Sequence, residues 1–216
     1  MINEFSNEQA PTIQVLIADD HPILRQELVS IINRTAKMHV VGEASTGREA
    51  IELFRQHQPD ITLMDLRMPE MDGVEAIIRI RQDCLTARII VLTTYDGDED
   101  IYRGLRAGAK SYLLKDTPYE ELLETIRAVH TGQTFLPIGI ATKLAQRIGH
   151  DELSPRELQV LHLMAQGKVN KDIAIALFIT EGTVKAHINT ILKKLGVSDR
   201  TSAVTTALKR GIIHLK

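Results

Sequence analysis

The chain has 216 residues, of which 44% are hydrophobic and 25% are charged, as in a soluble globular protein with room for two domains. Its net charge of -2 hides an asymmetry, since residues 1–135 contain 14 Lys and Arg against 22 Asp and Glu, while residues 151–216 contain 10 against 6. The single cysteine, Cys84, excludes an internal disulfide and a cysteine-based metal cluster. No run approaches the ~18 apolar residues of a membrane span. Residues 1–11 lack the apolar stretch of a signal peptide, so we expect a cytoplasmic protein.

Short apolar runs rich in Val and Ile alternate with segments of helical periodicity through the first 130 residues. Five of these runs are predicted strands, at residues 13–18, 38–43, 61–64, 88–92 and 111–114. Between them apolar residues recur at helical spacing, and one such face contains Ile23, Leu24, Leu28, Ile31 and Ile32. This alternation predicts an α/β domain with a doubly wound, five-stranded parallel sheet.

The pattern changes after Gly132, because no further strand pattern follows. A linker is predicted over residues 132–150, with a short helix near residues 141–148. Four helices then fit residues 154–211. The sequence therefore predicts a first domain over residues 12–131, followed along the chain by a smaller, all-α domain over residues 151–216. Ser154, Pro155 and Glu157 form a strong helix start. A serine N-cap, a proline at the first helical position and a glutamate at the third complete a capping box.

Polar side chains follow the predicted strands of the first domain at their carboxyl ends, where open parallel sheets bind ligands. Asp19 and Asp20 follow the first strand, Asp65 follows the third, Thr93 lies at the end of the fourth and Lys115 follows the fifth. Any one of these acids could be an ordinary loop cap. Together the carboxylates suit Mg²⁺, which neutralises charge on a transferring phosphoryl group. One carboxylate can attack phosphorus, while the lysine and the hydroxyl can hold phosphoryl oxygens.

Four motifs resemble those of bacterial response-regulator receiver domains, over residues 13–130. They are Asp-Asp-His-Pro at 19–22, Met-Asp-Leu-Arg-Met-Pro-Glu-Met-Asp-Gly at 64–73, Val-Leu-Thr-Thr at 91–94 and Gly-Ala-Lys-Ser-Tyr-Leu-Leu-Lys-Asp at 108–116. The resemblance implies a flavodoxin-like strand order 2-1-3-4-5. It also implies that a sensor histidine kinase phosphorylates Asp65.

The same resemblance implies roles for the neighbouring residues. Asp20, Asp65 and the backbone carbonyl of Arg67 match the direct ligands of Mg²⁺, and Asp19 matches an acid that acts through water. Thr93, Tyr112 and Lys115 match the switch and phosphoryl-binding residues of the family. On this basis we expect Tyr112 to turn inward when Asp65 is phosphorylated.

In the second domain, a helix over residues 170–177, a turn over 178–181 and a helix over 182–195 have helix-turn-helix proportions. Val184, Ile188, Ile191 and Leu195 should face the core. Another face of the same helix contains Lys185, Ala186, Asn189 and Lys193. These residues suit a DNA major groove, because Lys reaches guanine acceptors, Asn pairs with adenine and Ala contacts the thymine methyl.

Lys168, Asn170, Lys171 and Thr183 at the helix ends are candidates for phosphate contacts. By charge pattern alone, a solvated helix face in a protein-binding bundle fits about as well. The segments at 153–158, 167–174 and 180–197 resemble a LuxR-type DNA-binding domain, which covers about residues 150–214. The resemblance implies a recognition helix at 183–195. It also implies a dimer contact on the fourth helix, through Ser202, Val204, Thr205 and Leu208.

Taken together, the two domains predict a response regulator of the NarL/FixJ class. Phosphorylation of Asp65 would favour a homodimer that binds an inverted repeat in double-stranded DNA. An aspartyl-phosphate-forming hydrolase would need a second catalytic acid at position 67, where Arg67 stands, so we expect at most slow self-dephosphorylation. A ligand-sensing transcription factor commonly has an aromatic-lined pocket, whereas aromatic residues make up 4% of the chain and Trp is absent. A module that signals only by protein contact is a third alternative.

Overall fold

The computed structural model describes residues 12–214, so the expectation about residues 1–11 lies outside the described part. Contacts divide these residues into two compact units. The first unit comprises residues 12–94 and 103–137, and the second comprises residues 95–102 and 138–214. The second unit therefore includes eight residues, Tyr95–Tyr102, that lie within the sequence of the first.

The first unit contains the predicted five-stranded parallel sheet, in the order β2-β1-β3-β4-β5. The strands are β1 (Ile13–Ala18), β2 (Met38–Ala44), β3 (Ile61–Met64), β4 (Ile89–Thr93) and β5 (Ser111–Leu114). Each observed strand end lies within one residue of its prediction. Every residue of β3 and of β4 is buried, which explains why these strands are apolar except for Thr62 and Thr93.

Five helices follow the five strands along the chain, and the first half of the fourth helix belongs to the second unit. They are α1 (Pro22–Arg34), α2 (Gly47–His57), α3 (Gly73–Asp83), α4 (Asp98–Arg106) and α5 (Tyr119–His130). The Thr46 side chain accepts a hydrogen bond from the Glu49 backbone N–H at the start of α2, and Asp72 caps α3 in the same way. One expectation is wrong, because Ile23 is 82% exposed instead of facing the core. It lies in the first turn of α1, whereas Leu28 and Ile32 point to the sheet.

The second unit contains α6 (Ile138–Ile148), α7 (Pro155–Ala165), α8 (Asn170–Leu177), α9 (Glu181–Leu195) and α10 (Arg200–Lys209). The predicted capping box at Ser154 and Glu157 is present at the start of α7. The helix predicted at residues 141–148 begins three residues earlier, and α10 begins two residues before the predicted 202. None of the described helices is both long enough and apolar enough to cross a membrane.

A separate apolar core holds α7, α8, α9 and α10 together. Val184, Ile191 and Leu195 are buried in it as their spacing predicted, and Ile188 packs against it while half-buried. The turn between α8 and α9 begins at Phe178, which adopts the left-handed conformation with φ 54° and ends α8. The Thr180 side chain then caps α9 through the Thr183 backbone N–H. Short-range capping thus ends α8 at Phe178 and begins α9 after Thr180.

Candidate functional site

The predicted polar residues of the first unit lie at the carboxyl edge of the sheet. In the parallel register Ala18 pairs with Met64, so that Asp19 and Asp65 leave the sheet side by side. Thr93 pairs with Leu114, so that Lys115 emerges next to the end of β4. The strand order places β1 between β2 and β3. The chain therefore passes from β1 to its neighbour on one side, β2, and then to its neighbour on the other side, β3, and sheets of this kind bind ligands at that switch point.

Lys115 joins two carboxylates at this edge. Its Nζ lies 2.7 Å from Asp65 Oδ2 and 2.8 Å from Asp19 Oδ2, and all three side chains are at least nine-tenths buried. Burial alone would lower the pKa of Lys115, but the hydrogen bonds that its ammonium donates to Asp19 and Asp65 outweigh burial and raise the pKa above its ordinary value. The lysine is therefore a fixed positive charge beside Asp65 at any physiological pH.

Backbone contacts hold Asp65 in place. Its N–H donates to the Ala18 carbonyl at 2.8 Å, and its Oδ1 accepts the Arg67 N–H at 3.3 Å. Gly73 packs against the same residue so closely that a Cβ at position 73 would overlap the Asp65 carbonyl oxygen. The glycine of the 64–73 motif is therefore required by close backbone approach.

His21 also belongs to this cluster, although sequence reasoning assigned it no role. Its Nδ1 lies 2.8 Å from Asp20 Oδ1 and 3.2 Å from Asp19 Oδ1. One ligand atom from each of Asp19, Asp20, His21 and Asp65 can be chosen so that all four lie within 4.8 Å of one another. Three carboxylates at this spacing form a donor set that fits a hard divalent cation. The signal for His21 was its position directly after the paired acids.

Two of the predicted switch residues are fully buried. Thr93 is inaccessible to solvent, and among the described residues its hydroxyl has no hydrogen-bond partner. A buried hydroxyl without a partner costs free energy, which a hydrogen bond to a new acceptor would recover. Tyr112 is also fully buried, with its ring edge against the position of Gly104. The ring therefore lies inside the domain, and its movement on phosphorylation stays a prediction.

The second unit presents the predicted groove-facing stripe on α9. All four of its residues are exposed, namely Lys185, Ala186, Asn189 and Lys193. The buried Val184 and Ile191 lie on the other side of the same helix. The arrangement leaves a helix face of two ammonium groups, one amide and one methyl free to contact a partner.

The predicted phosphate-contact residues lie at the amino ends of α8 and α9. Lys168, Lys171 and Thr183 are exposed, and Asn170 is half-buried. Sequence reasoning missed Arg200 at the start of α10. Its Nη2 donates to the Lys168 carbonyl at 2.6 Å and its Nη1 to Asn170 Oδ1 at 3.4 Å. The Asn170 oxygen is thereby occupied by Arg200, so that the asparagine NH₂ is the group left to donate to an anion.

The four predicted dimer residues on α10 differ in accessibility. Thr205 is exposed, whereas Val204 and Leu208 are half-buried and pack against the core of the unit. The Ser202 N–H donates to Asp199 Oδ1 at 2.9 Å and its hydroxyl to Asp199 Oδ2 at 2.6 Å, as part of the cap of α10. Of the four, only Thr205 is exposed.

Comparison with known proteins covers both units. Residues 15–127 match the model of the response regulator receiver domain, and residues 151–207 match that of bacterial regulatory proteins of the luxR family. The transcriptional regulatory protein LiaR of Bacillus subtilis (strain 168) is 41% identical over 210 residues, which cover 94% of this chain and 100% of LiaR. The response regulator VraR of Staphylococcus aureus (strain NCTC 8325 / PS 47) is 38% identical over 208 residues, with coverage of 94% and 100%.

Solved structures show the same architecture. RcsB from Salmonella enterica serovar Typhimurium, bound to a promoter in the presence of the phosphomimetic BeF₃⁻, aligns with a TM-score of 0.70 at 27% identity. The alignment covers 90% of this chain and 97% of that one. The relatives are transcriptional regulators, not enzymes of a hydrolase family. The chain therefore belongs to the bacterial response regulators that join a receiver domain to a LuxR-type DNA-binding domain.

Proposed function

We propose that a sensor histidine kinase phosphorylates Asp65 and that this modification controls how the second domain binds double-stranded DNA. The observation that carries the proposal is the pairing of buried Asp65 with Lys115 at 2.7 Å, beside the acids that follow β1. The carboxylate attacks phosphorus, a P–O bond forms, and the P–N bond to the kinase imidazole breaks. Lys115 remains next to the new phosphoryl oxygens and offsets their charge.

Mg²⁺ is the proposed cofactor, and Asp19, Asp20, Asp65 and the backbone carbonyl of Arg67 would hold it directly or through water. When bound, the cation supplies charge neutralisation for the transferring phosphoryl group. The close carboxylates support this assignment, because the single Lys115 ammonium pairs with only Asp19 and Asp65 and leaves repulsion that a divalent cation would relieve. Lys115 orients Asp65 through its hydrogen bond. We expect at most slow self-dephosphorylation, because position 67, two residues after the phosphoacceptor, is Arg67 and not an acid.

After phosphorylation, Thr93 donates its hydroxyl hydrogen to a phosphoryl oxygen. Its hydroxyl is buried and without a partner among the described residues, so the new hydrogen bond stabilises the modified state at little further cost. Because Thr93 is the last residue of β4, a shift of its side chain also shifts the backbone that follows. The modification therefore favours one of two conformations instead of creating a new one.

On DNA, α9 is the proposed recognition helix. Lys185, Ala186, Asn189 and Lys193 would face the bases in the major groove, and Lys168, Asn170, Lys171 and Thr183 would contact phosphates. A homodimer through α10, with Ser202, Val204, Thr205 and Leu208 at the contact, would place two recognition helices about one helical turn apart on an inverted repeat. In a solved structure RcsB is bound to a promoter, which supports a DNA-binding role for the corresponding fold in this chain.

The proposed domain boundaries are 12–131 for the receiver domain, 132–150 for the linker and 151–216 for the DNA-binding domain. The helix α6 lies within the proposed linker. Because both the proposed kinase reaction and the bacterial chromosome are in the cytoplasm, we place the action of the protein there.

The test is genomic footprinting of the full chain with and without acetyl phosphate and Mg²⁺. We expect protection of paired half-sites that appears at lower protein concentration after treatment, and a weaker response for Asp65→Asn. The matched control is Asp83→Asn, which removes an exposed carboxylate that pairs with Arg55. Equal protection by treated and untreated protein would contradict control by phosphorylation, and no protection in low salt would contradict DNA binding.

A further inference from the structure

His21 lies between the paired acids after β1 and the first turn of α1. It is the N-cap residue of α1, but its side chain forms no capping hydrogen bond, and Pro22 follows at the first helical position. Ser, Thr, Asp and Asn are favoured at an N-cap because their side chains accept from free N–H groups. The imidazole of His21 does not serve the helix in this way, and its Nδ1 lies against the acids instead.

The His21 ring nitrogen lies close to oxygen atoms of two carboxylates. Its Nδ1 is 3.2 Å from Asp19 Oδ1 and 2.8 Å from Asp20 Oδ1. Adjacent ligands of an octahedral ion with bonds of about 2.0–2.1 Å lie about 3 Å apart. Each nitrogen–oxygen pair therefore has the spacing of two adjacent ligands of one cation. The His21 side chain is 65% exposed, so an ion can reach it from solvent.

The contact between His21 and Asp20 is not explained by a hydrogen bond. Asp20 Oδ1 is buried and has no hydrogen-bond partner among the described residues, although His21 Nδ1 is only 2.8 Å away. The two atoms are therefore close without the direction that a hydrogen bond requires. A buried carboxylate oxygen without a donor costs free energy, and a cation bound to that oxygen would remove the cost.

Hydrogen bonding within the cluster accounts for the other contacts only. His21 Nδ1 hydrogen-bonds to Asp19 Oδ1, which also accepts the His21 backbone N–H at 2.8 Å. The Lys115 ammonium pairs with the Oδ2 atoms of Asp19 and Asp65, and it lies 3.4 Å from His21 Nδ1. Neither arrangement supplies a partner for Asp20 Oδ1. That oxygen lies next to a nitrogen that can itself be a metal ligand.

We propose that His21 Nδ1 is a ligand of the cation held by the acids around Asp65. This nitrogen raises the affinity of the site for first-row transition-metal dications, such as Mn²⁺ and Co²⁺, relative to Mg²⁺. The proposal rests on the metal site of the proposed function, and it identifies the class of cation that the site accepts. Imidazole nitrogen suits transition-metal ions, whereas Mg²⁺ prefers oxygen ligands. One nitrogen added to a set of oxygens therefore stabilises a transition-metal ion more than it stabilises Mg²⁺.

The consequence is that two classes of ion can occupy the site beside Asp65. Both classes carry two positive charges, so either class can neutralise charge on a phosphoryl group at that carboxylate. Metal selectivity within proteins is set by ligand type, geometry and metal availability. His21 therefore allows a scarce transition-metal ion to compete at this site with the more abundant Mg²⁺.

The first measurement is metal binding by the full chain in isothermal titration calorimetry, with Mg²⁺ or Co²⁺ added to metal-free protein. His21→Gln should weaken Co²⁺ binding by at least about tenfold, because loss of a group that only orients a metal ligand already costs about 10- to 100-fold. Mg²⁺ binding should change far less, because Mg²⁺ readily keeps a water molecule in place of the nitrogen. The control is His39→Gln, which removes an exposed histidine near the amino end of β2 and should change neither affinity.

The second measurement detects the nitrogen directly and uses the wild-type protein. Pulsed electron paramagnetic resonance of bound Mn²⁺ should show spin-echo modulation from a coordinated ¹⁴N nucleus. Labelling the histidines with ¹⁵N should replace that modulation by the ¹⁵N pattern, and His21→Gln should abolish it. A histidine that only hydrogen-bonds to the acids would not give the coupling of a directly coordinated nitrogen.

Two results would overturn the proposal and leave the proposed function intact. One is a pair of Co²⁺ and Mg²⁺ affinities that stay the same, or fall by the same factor, in His21→Gln, which would show that His21 does not select between the ions. The other is Mn²⁺ bound to the wild type without nitrogen modulation. A wild-type protein that binds none of the three ions would instead remove the metal site of the proposed function, and this inference with it.

Discussion

Replacing Lys115 with Met tests the electrostatic arrangement around Asp65. The substitution keeps most of the side-chain volume and removes the charge that lies 2.7 Å from Asp65 and 2.8 Å from Asp19. Removing one partner of a buried ion pair costs about 3–5 kcal/mol, because the remaining charge stays buried without compensation. Asp19 keeps a hydrogen bond from the His21 backbone N–H at 2.8 Å, so we expect the lower end, about 3 kcal/mol.

The assay is urea denaturation of the full chain followed by circular dichroism, since the chain has no Trp to serve as a fluorescent probe. With a denaturant slope of about 1–3 kcal/mol per M, a loss of about 3 kcal/mol lowers the midpoint by about 1–3 M urea. The control is Lys110→Met, which removes a half-exposed lysine that precedes the same strand. Millimolar Mg²⁺ should recover part of the loss in Lys115→Met, because the cation replaces the missing positive charge.

A different outcome would refute the reasoning. If Lys115→Met unfolds at the same urea concentration as Lys110→Met, the two buried carboxylates do not depend on the lysine for compensation. If Mg²⁺ has no effect on the variant or on the wild type, the carboxylate cluster does not bind that cation.

Three further predictions concern other residues. Gly73→Ala should lower stability in urea by about 1–3 kcal/mol, because its methyl group has no room beside the Asp65 carbonyl; unchanged stability would contradict the close approach. Glu157→Gln should destabilise the protein at pH 7, because the carboxylate accepts from Lys194 Nζ at 2.8 Å and its pKa, which burial alone would raise, is lowered by that bond. The extra free energy of unfolding of the wild type is fully present above pH 4.5, the ordinary pKa of a glutamate, and is lost as the pH falls through the lowered pKa of Glu157. Urea denaturation at several pH values should therefore show the difference in stability between wild type and variant shrinking toward pH 3, and a constant difference would contradict this account. Arg200→Lys keeps the positive charge but loses the two hydrogen bonds that the guanidinium donates to the loop before α8 and to α8 itself. Affinity for a DNA duplex, measured by fluorescence anisotropy, should therefore fall about two- to tenfold with an unchanged salt dependence. An affinity equal to that of the wild type would show that Arg200 does not position these residues for DNA.

Much of the fold follows from local sequence features. The strands β3 and β4 are buried on both faces, so they are mostly apolar instead of alternating with polar residues, and each could be located to within one residue. The start of α7 could be placed because its N-cap and capping box lie within four consecutive residues. The exposure of Ile23 was missed, since spacing alone does not show which apolar residues in the first turn of α1 are covered by other elements.

The part of the candidate site that lies directly at the ends of the strands could be predicted from the sequence. Parallel strands bring their carboxyl ends to one edge, so Asp19, Asp65 and Lys115 could be expected to meet before any distance was known. The position of the His21 ring beside two carboxylates, and the burial of Tyr112, depend on side-chain orientation. Hydrophobic spacing contains no information about either.

The sequence by itself determined the two domain types, the acidic cluster around Asp65 and the exposed stripe on α9. Each depends on periodicity, capping or strand order, which are set by residues that are near in sequence. Only the tertiary structure showed that the segment Tyr95–Tyr102 after β4 belongs to the second unit and that Asp98 meets Arg210, 112 residues further along the chain. An ion pair between such distant residues depends on how whole helices pack, and no local pattern specifies that arrangement.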